Sequence, residues 1–211
     1  MAETLKTGLG VRYLLPILSL YAVAAALIGP TDADLVRNVV QHVSAAGVAG
    51  LIILVFQDLA PPSVKGALVF WRIREILPGH RAFTHHALKD PRVDADRLTS
   101  LLPPTIDTGA QQNALWYRWF KEVESEPSIT DAHRRYLALR DCTVLLALLT
   151  LLSPILGLVD VQTWPGAFKL TGVCAVGYLL VMFAARNAAH RFVRNVVACK
   201  VSASGAGVAK A

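Results

Sequence analysis

Charged residues are scarce in this sequence, and none interrupts its four longest apolar stretches. Asp, Glu, Lys and Arg make up 17% of the 211 residues, whereas an average soluble domain has about 25%. The stretches are residues 13–29, 39–56, 143–159 and 170–185. Each approaches the roughly 20 residues that a membrane-spanning helix needs. The missing intramembrane charges argue against a proton-coupled transporter or pump, because such proteins carry ionisable groups within their spans.

Sequence signatures of common enzyme classes are also missing. The chain has no GxSxG, HExxH, P-loop or GxGxxG pattern, and we therefore predict that it is not an enzyme. Its three cysteines, Cys142, Cys174 and Cys199, are odd in number and form no CxxC pair, which argues against a disulfide framework. We expect neither a metal ion nor a cofactor.

The four stretches predict an all-α membrane protein in which two transmembrane hairpins flank a soluble insert. Residues 1–57 form the N-terminal hairpin, 58–140 the helical cytoplasmic insert, 141–187 the C-terminal hairpin and 188–211 a basic cytoplasmic tail. A cleaved signal peptide is the alternative for the first stretch, since basic residues precede it and small residues lie near its end. The length of that stretch and the closely following second span favour the hairpin.

The distribution of basic residues predicts the orientation of the chain. Of the 21 Lys and Arg residues, the two short hairpin loops hold only Arg37 and Lys169, and the N-terminus, insert and tail hold the other nineteen. Because cytoplasmic segments carry the excess of Lys and Arg, we expect both termini and the insert in the cytoplasm.

Small side chains crowd the second span. Ala46 and Gly50 are four residues apart, with Gly47 between them, and this spacing lets helix backbones approach closely. We expect these three residues to pack helices together, either within the chain or between the subunits of a homo-oligomer.

The insert and its flanks show several helical patterns. Residues 64–77 predict a helix that Pro78 and Gly79 end. Residues 111–124 predict a helix whose four aromatic side chains cannot all face one way, so we expect two of them in the core and two at the surface. Another helix begins near Asp131 and continues without a break into the third span, and the fourth span extends likewise through the basic tail.

Basic and aromatic side chains of the insert are the candidate ligand-binding groups. Lys and Arg neutralise phosphates, and aromatic rings stack on the bases of single strands. On this local chemistry the candidates are Arg72, Arg74, His80, Arg81, His85, Trp116, Arg118, Trp119, Lys121, Arg134 and Arg135.

The densest polar cluster is the segment GHRAFTHH at residues 79–86. It has three interpretations: a solvated or phosphate-facing loop, a metal site, or the active site of a HEPN-type ribonuclease, whose motif has a His four to six residues after an Arg. Arg81 and His86 fit that spacing, although Ala82 stands where a polar residue is expected. The adjacent His85 and His86 do not easily converge on one ion, which disfavours the metal site.

The organisation of the chain resembles that of small bacterial membrane effectors of anti-phage defence, closest to those of Hailong-type systems. Two hairpins flank an insert that contains LPGHRAFTHHALKDPRVD and QNALWYRWF. The resemblance implies a tetrameric ion channel in the bacterial inner membrane that oligonucleotides hold shut from the cytoplasmic side. It also implies three partners: membrane lipid, a single-stranded nucleic acid or nucleotide signal, and a nucleotidyltransferase encoded nearby.

We therefore expect an oligomeric channel or pore that an anionic nucleotide or oligonucleotide gates. Two alternatives stay open. The first is a membrane-anchored HEPN-like ribonuclease that uses Arg81 and His86, and the second is a membrane scaffold that recruits a soluble partner.

Overall fold

The computed structural model describes Ser19, residues 60–159 and residues 164–208, and every regular element within these ranges is helical. Three single turns, Pro78–Arg81, Ala82–His86 and Ala87–Lys89, connect longer helices. The longer helices are α1 (Pro62–Phe70), α2 (Ala95–Leu101), α3 (Gly109–Val123), α4 (Pro127–Val159) and α5 (Trp164–Val208). The all-helical prediction is confirmed for this part of the chain.

Within the described ranges, two helices are long and apolar enough to cross a membrane, and they occupy Pro127–Ile155 and Pro165–Ser204. The fourth predicted span lies within the second of them, and the third predicted span overlaps the first over residues 143–155. This overlap favours a membrane location by length and composition. Apart from Ser19, the first two predicted spans, with Ala46, Gly47 and Gly50, lie outside the described residues.

The chain divides into two compact units. The described part of the first unit comprises residues 60–69, 138–159 and 164–184, and that of the second comprises residues 70–137 and 185–208. α4 and α5 each contribute residues to both units.

The first unit carries an exposed apolar surface. On α4, Leu151 is 66% exposed and Ile155 is 54% exposed. On α5 the exposed apolar side chains include Phe168, Val173, Val176, Leu180 and Phe183. The last four of these follow one another at spacings of three and four residues, so they share one face of the helix. Such a continuous apolar face is typical of a surface that contacts lipid or another protein.

The second unit has an aromatic core around α5. The ring of Phe192 packs edge-on against Trp116 and Phe120, each with a centroid distance of 5.2 Å, and stacks on His133 at 4.8 Å. Beyond the core, Nη2 of Arg92 donates to Oδ1 of Asn195 at 2.9 Å. The segment predicted as a basic tail is therefore a helix whose apolar face lies in this core.

α3 forms where the aromatic pattern predicts it, and a capping box begins it. The backbone N–H of Gln111 donates to Oγ1 of Thr108 at 3.3 Å, and Oε1 of Gln111 accepts from the N–H of Thr108 at 3.1 Å. The expected even division of its aromatics is wrong, because three are buried and only Tyr117 is exposed. The buried ones are Trp116, Trp119 and Phe120.

The helix predicted over residues 64–77 is shorter than expected, because α1 ends at Phe70. Trp71 has a φ of 51° and Glu75 a φ of 49°, and a left-handed conformation terminates an α-helix. Leu77 is extended, as the residue before a proline usually is. Residues 71–77 thus form an irregular segment.

The two longest helices run without a break, as predicted. α4 is continuous from Pro127 to Val159, although it begins four residues before Asp131. α5 continues past the fourth predicted span to Val208 and so includes His190.

Candidate anion-binding site

The histidine-rich segment at residues 79–86 is held against α3 by a buried glutamine. Oε1 of Gln112 accepts hydrogen bonds from the backbone N–H groups of Phe83 and Thr84, both at 3.3 Å, and from Oγ1 of Thr84 at 3.2 Å. The ring of Phe83 also packs edge-on against Trp119, with centroids 4.9 Å apart. These contacts fix the turns that carry the paired histidines.

Gly79 brings the start of this segment close to α3. A Cβ atom at this position would lie 2.4 Å from Oδ1 of Asn113 and 2.8 Å from Cε3 of Trp116. The backbone N–H of Leu77 donates to Nδ1 of His80 at 3.0 Å and closes the turn around the glycine. This close approach therefore requires a residue without a side chain.

A cavity of about 60 Å³ opens beside these turns. Its apolar lining consists of Phe70, Ile76, Leu77 and Pro78, and its basic lining of Arg72, Arg81, His85, His86 and His190. None of these lining residues is acidic. Apolar walls lower the local dielectric and strengthen the attraction between the basic groups and an anion. The cavity is therefore suited to a small anionic group.

The imidazole rings of the cavity lie close together. The ring centroid of His86 is 4.5 Å from that of His190 and 5.3 Å from that of His85. His86 lines the cavity, so its imidazole is placed to meet a ligand there. Burial, followed by the charges of His190, His85, Arg194 and Arg72, lowers the pKa of His86 to about 3. A bound anion would oppose this lowering.

The guanidinium groups add permanent positive charge to the site. Burial and the nearby charges of Arg81 and Arg186 lower the pKa of Arg72, which shows that cations crowd one another here. Nε of Arg81 lies 3.6 Å from Oε2 of Glu75, and both side chains are almost half exposed. An ion pair this open is weak, so Glu75 neutralises the site only in part.

An exposed indole lies next to the cavity lining in the chain. Trp71, between the lining residues Phe70 and Arg72, is 61% exposed, and Cζ of Arg186 lies 5.3 Å from its ring centroid. Its positive φ, which is uncommon for a bulky residue, ends α1 at this point. Trp71 is thus an accessible aromatic surface beside a basic site.

The structure brings together three of the predicted ligand-binding residues, namely Arg72, Arg81 and His85. The others do not line this cavity: Arg74, His80, Trp116, Arg118, Trp119, Lys121, Arg134 and Arg135. Trp116 and Trp119 are only 6% and 5% exposed, so a base cannot stack on either ring in this arrangement. Nζ of Lys121 pairs with Oε2 of Glu124 at 2.8 Å.

Two residues of the site were not predicted to bind a ligand. His190 lines the cavity, and Trp71 lies next to lining residues in the chain. His190 is more than 100 positions from the other lining residues, and its i, i+4, i+8 spacing with Arg186 and Arg194 was the only available signal. Trp71 falls within the helix predicted over residues 64–77, but α1 ends before it. His86 was considered for the ribonuclease motif and for a metal site, but not as a ligand-binding residue.

Among residues 60–159 and 164–208, no group of three or more His, Cys, Asp or Glu side chains is arranged to hold a metal ion. Comparisons with known proteins found no family model, no curated protein and no solved structure that matches the chain.

Proposed function

We propose that this chain is an oligomeric membrane effector that forms an ion channel or pore, gated by an anionic nucleotide or oligonucleotide. The observation that carries the ligand class is the cavity, because two arginines and three histidines converge on a space with no acidic lining residue. Phosphate is the common biological anion that such groups bind, by charge-assisted hydrogen bonds. We take bacterial anti-phage immunity as the context on the resemblance alone.

The membrane part of the proposal is supported by the exposed apolar face of α5. Val173, Val176, Leu180 and Phe183 are 53%, 59%, 66% and 56% exposed. In water this face would be unfavourable, whereas lipid or a second subunit would cover it. α5 also carries His190, one of the cavity residues, so the ligand site and the apolar face share one helix.

Ion flux through liposomes tests the channel. We expect purified protein to conduct ions and short single-stranded oligonucleotides to change the conductance. Arg81→Gln should abolish this response, whereas Arg191→Gln, an exposed arginine of α5 outside the cavity lining, should preserve it. Protein that conducts nothing, with or without oligonucleotide, would rule out the channel.

Trp71 offers a way to separate ligand binding from folding. If a base stacks on this ring, its removal should cost about 1–3 kcal/mol of binding free energy. Trp71→Gly removes the ring and suits the positive φ, so stability should be kept while affinity falls. Trp71→Phe keeps an aromatic face and should retain most of the affinity. Equal affinity of all three proteins would exclude stacking at this position.

A membrane-anchored ribonuclease is the second candidate, favoured by the shared position of Arg81 and His86 in one cavity lining. His190, with its ring centroid 4.5 Å from that of His86, gives the site a second imidazole, as general acid–base cleavage of RNA would require. Incubation with labelled RNA tests this candidate. Cleavage that His86→Asn or His190→Asn abolishes would favour it over the channel, and intact RNA in the wild-type reaction would remove it.

A further inference from the structure

We infer that the cavity accepts a single terminal phosphate group, a phosphate monoester, which replaces Glu75 as the partner of Arg81. The inference rests on the proposed ligand site and names the part of the ligand that enters it.

The volume of the cavity excludes a nucleobase. An engineered cavity of about 150 Å³ holds one benzene ring, whereas this cavity measures about 60 Å³. A phosphate group is compact and displaces only a few water molecules. The sugar and base must therefore stay outside, where Trp71 is 61% exposed.

A monoester suits a small cavity better than a diester does. A terminal phosphate has one ester arm, so its three remaining oxygens can enter while the arm leaves through the opening. An internal phosphodiester has two arms that must both leave, and it carries about one negative charge. A monoester carries about −1.5 to −2 at pH 7 and three strong acceptor oxygens, which match the donors of Arg72, Arg81 and His86.

Glu75 is the internal competitor of this phosphate. Its Oε2 lies 3.6 Å from Nε of Arg81, beyond an ordinary hydrogen bond, and its side chain is 46% exposed. A phosphate can form a bidentate pair with a guanidinium, which is stronger than this loose contact. Binding should therefore release Glu75, and removal of the Glu75 charge should favour the ligand.

The test uses the full-length protein in detergent without anionic lipid and a short single-stranded oligonucleotide labelled at its 3′ end. Fluorescence anisotropy compares the oligonucleotide with a 5′-phosphate and with a 5′-hydroxyl. We expect the 5′-phosphate to tighten binding about tenfold or more, as charge-assisted hydrogen bonds predict. Inorganic phosphate should compete with the phosphorylated probe.

Two variants test which residues cause the tighter binding of the 5′-phosphorylated probe. Glu75→Gln should tighten binding of the phosphorylated probe by up to about fivefold, the range expected for an exposed ion pair, and should leave the hydroxyl probe unchanged. Arg81→Gln should remove the difference between the two probes. If Glu75→Gln binds the phosphorylated probe more weakly than the wild type does, the phosphate does not replace Glu75 as the partner of Arg81. This result would stand even if other cavity variants failed to fold.

The outcomes separate this inference from the proposed function. Equal binding of both probes, with no competition by inorganic phosphate, overturns the monoester and leaves the oligonucleotide-gated channel in place. No binding of either probe removes the oligonucleotide from the proposed function. In that case, Arg81-dependent binding to vesicles that contain phosphatidic acid, but not to phosphatidylcholine vesicles, would retain the monoester with a lipid headgroup as its source. No binding to either vesicle would overturn it.

Discussion

The two parts of α5 are both rich in apolar side chains, yet their environments are opposite. In the first unit Phe168 and Phe183 are 61% and 56% exposed, whereas in the second unit Phe192 and Val193 are 3% and 0% exposed. The second part packs against the aromatic side chains of α3, and the first part has an exposed apolar face. Hydropathy alone therefore does not distinguish a helix that needs lipid from one that needs a protein core.

The two parts of α5 also differ in their charged residues. Between residues 170 and 185 there is no charged side chain, whereas Arg186, Arg191 and Arg194 follow within ten positions. A charged side chain is energetically unfavourable inside a bilayer but is tolerated at a solvent-exposed position of a helix that packs on a protein core.

Truncation of one phenylalanine in each part of α5 should give the largest contrast. Phe192→Ala empties the aromatic core, and truncation of a buried Phe costs about 3–5 kcal/mol of unfolding free energy. Phe183→Ala truncates a side chain that is 56% exposed, so its effect in detergent should be smaller than that of Phe192→Ala. Thermal unfolding followed by tryptophan fluorescence measures both. An equal loss of stability in the two variants would show that the exposed face is packed in solution.

A single carboxylate should affect insertion in only one part of α5. Val176→Asp adds a charge to the exposed apolar face, which costs about 2.5–3.5 kcal/mol near the centre of a membrane helix. Ser202→Asp adds the same charge at an exposed position of the second unit and should have little effect. Resistance to carbonate extraction reports insertion. If Val176→Asp stays membrane-bound as well as the wild type does, that face of α5 does not contact lipid.

Alanine substitution at two glycines should change the free energy of unfolding in opposite directions. Gly79→Ala creates a Cβ atom 2.4 Å from Oδ1 of Asn113, and such overpacking costs about 1–3 kcal/mol. Gly172 has no atom within 4 Å of the added Cβ, so Gly172→Ala should stabilise the helix by up to about 1 kcal/mol. Denaturant unfolding measures both changes, and a neutral Gly79→Ala would mean that the turn can move away from α3.

Acid should destabilise the second unit through His86. The pKa of His86 in the folded protein is lowered from its ordinary 6.5 to about 3, mainly by burial. Between these values the unfolded chain binds one more proton, so stability falls as the pH is lowered through 6.5 towards 3, by at most about 1.4 kcal/mol per pH unit. His86→Phe should flatten the dependence of the melting temperature on pH, and His85→Asn, an exposed position, should not.

An unchanged slope in His86→Phe would mean that other groups carry the acid sensitivity. The charged and titratable groups that act on His86 are His85, His190, Arg72 and Arg194, and each of these can be substituted in turn to find the source.

Much of the helical architecture was predictable because it depends on local patterns. Long apolar runs and the aromatic pattern of residues 111–124 are local features of the sequence, so α3, α4 and α5 were expected. The end of α1 was not, because nothing near Trp71 in the sequence requires a left-handed backbone. A glycine there would have signalled it.

The candidate site was predictable only in part. Arg72, Arg81 and His85 were selected because basic residues cluster in the sequence, and all three line the cavity. Arg134 and Arg135 satisfied the same criterion and do not line it. Charge clustering identifies groups that prefer water or an anion, but it does not show which of them converge.

The sequence by itself determined that the described part of this protein is helical and that α4 and α5 are apolar enough to span a membrane, because helix formation and hydropathy depend on local residue types. Only the tertiary structure decided that Trp116 and Trp119 belong to a core and that His190 meets His86. Those outcomes depend on packing between segments that are distant in the sequence, because α5 meets both α3 and the histidine-rich segment. The close approach at Gly79 and the hydrogen bonds of Gln112 hold the histidine-rich segment against α3.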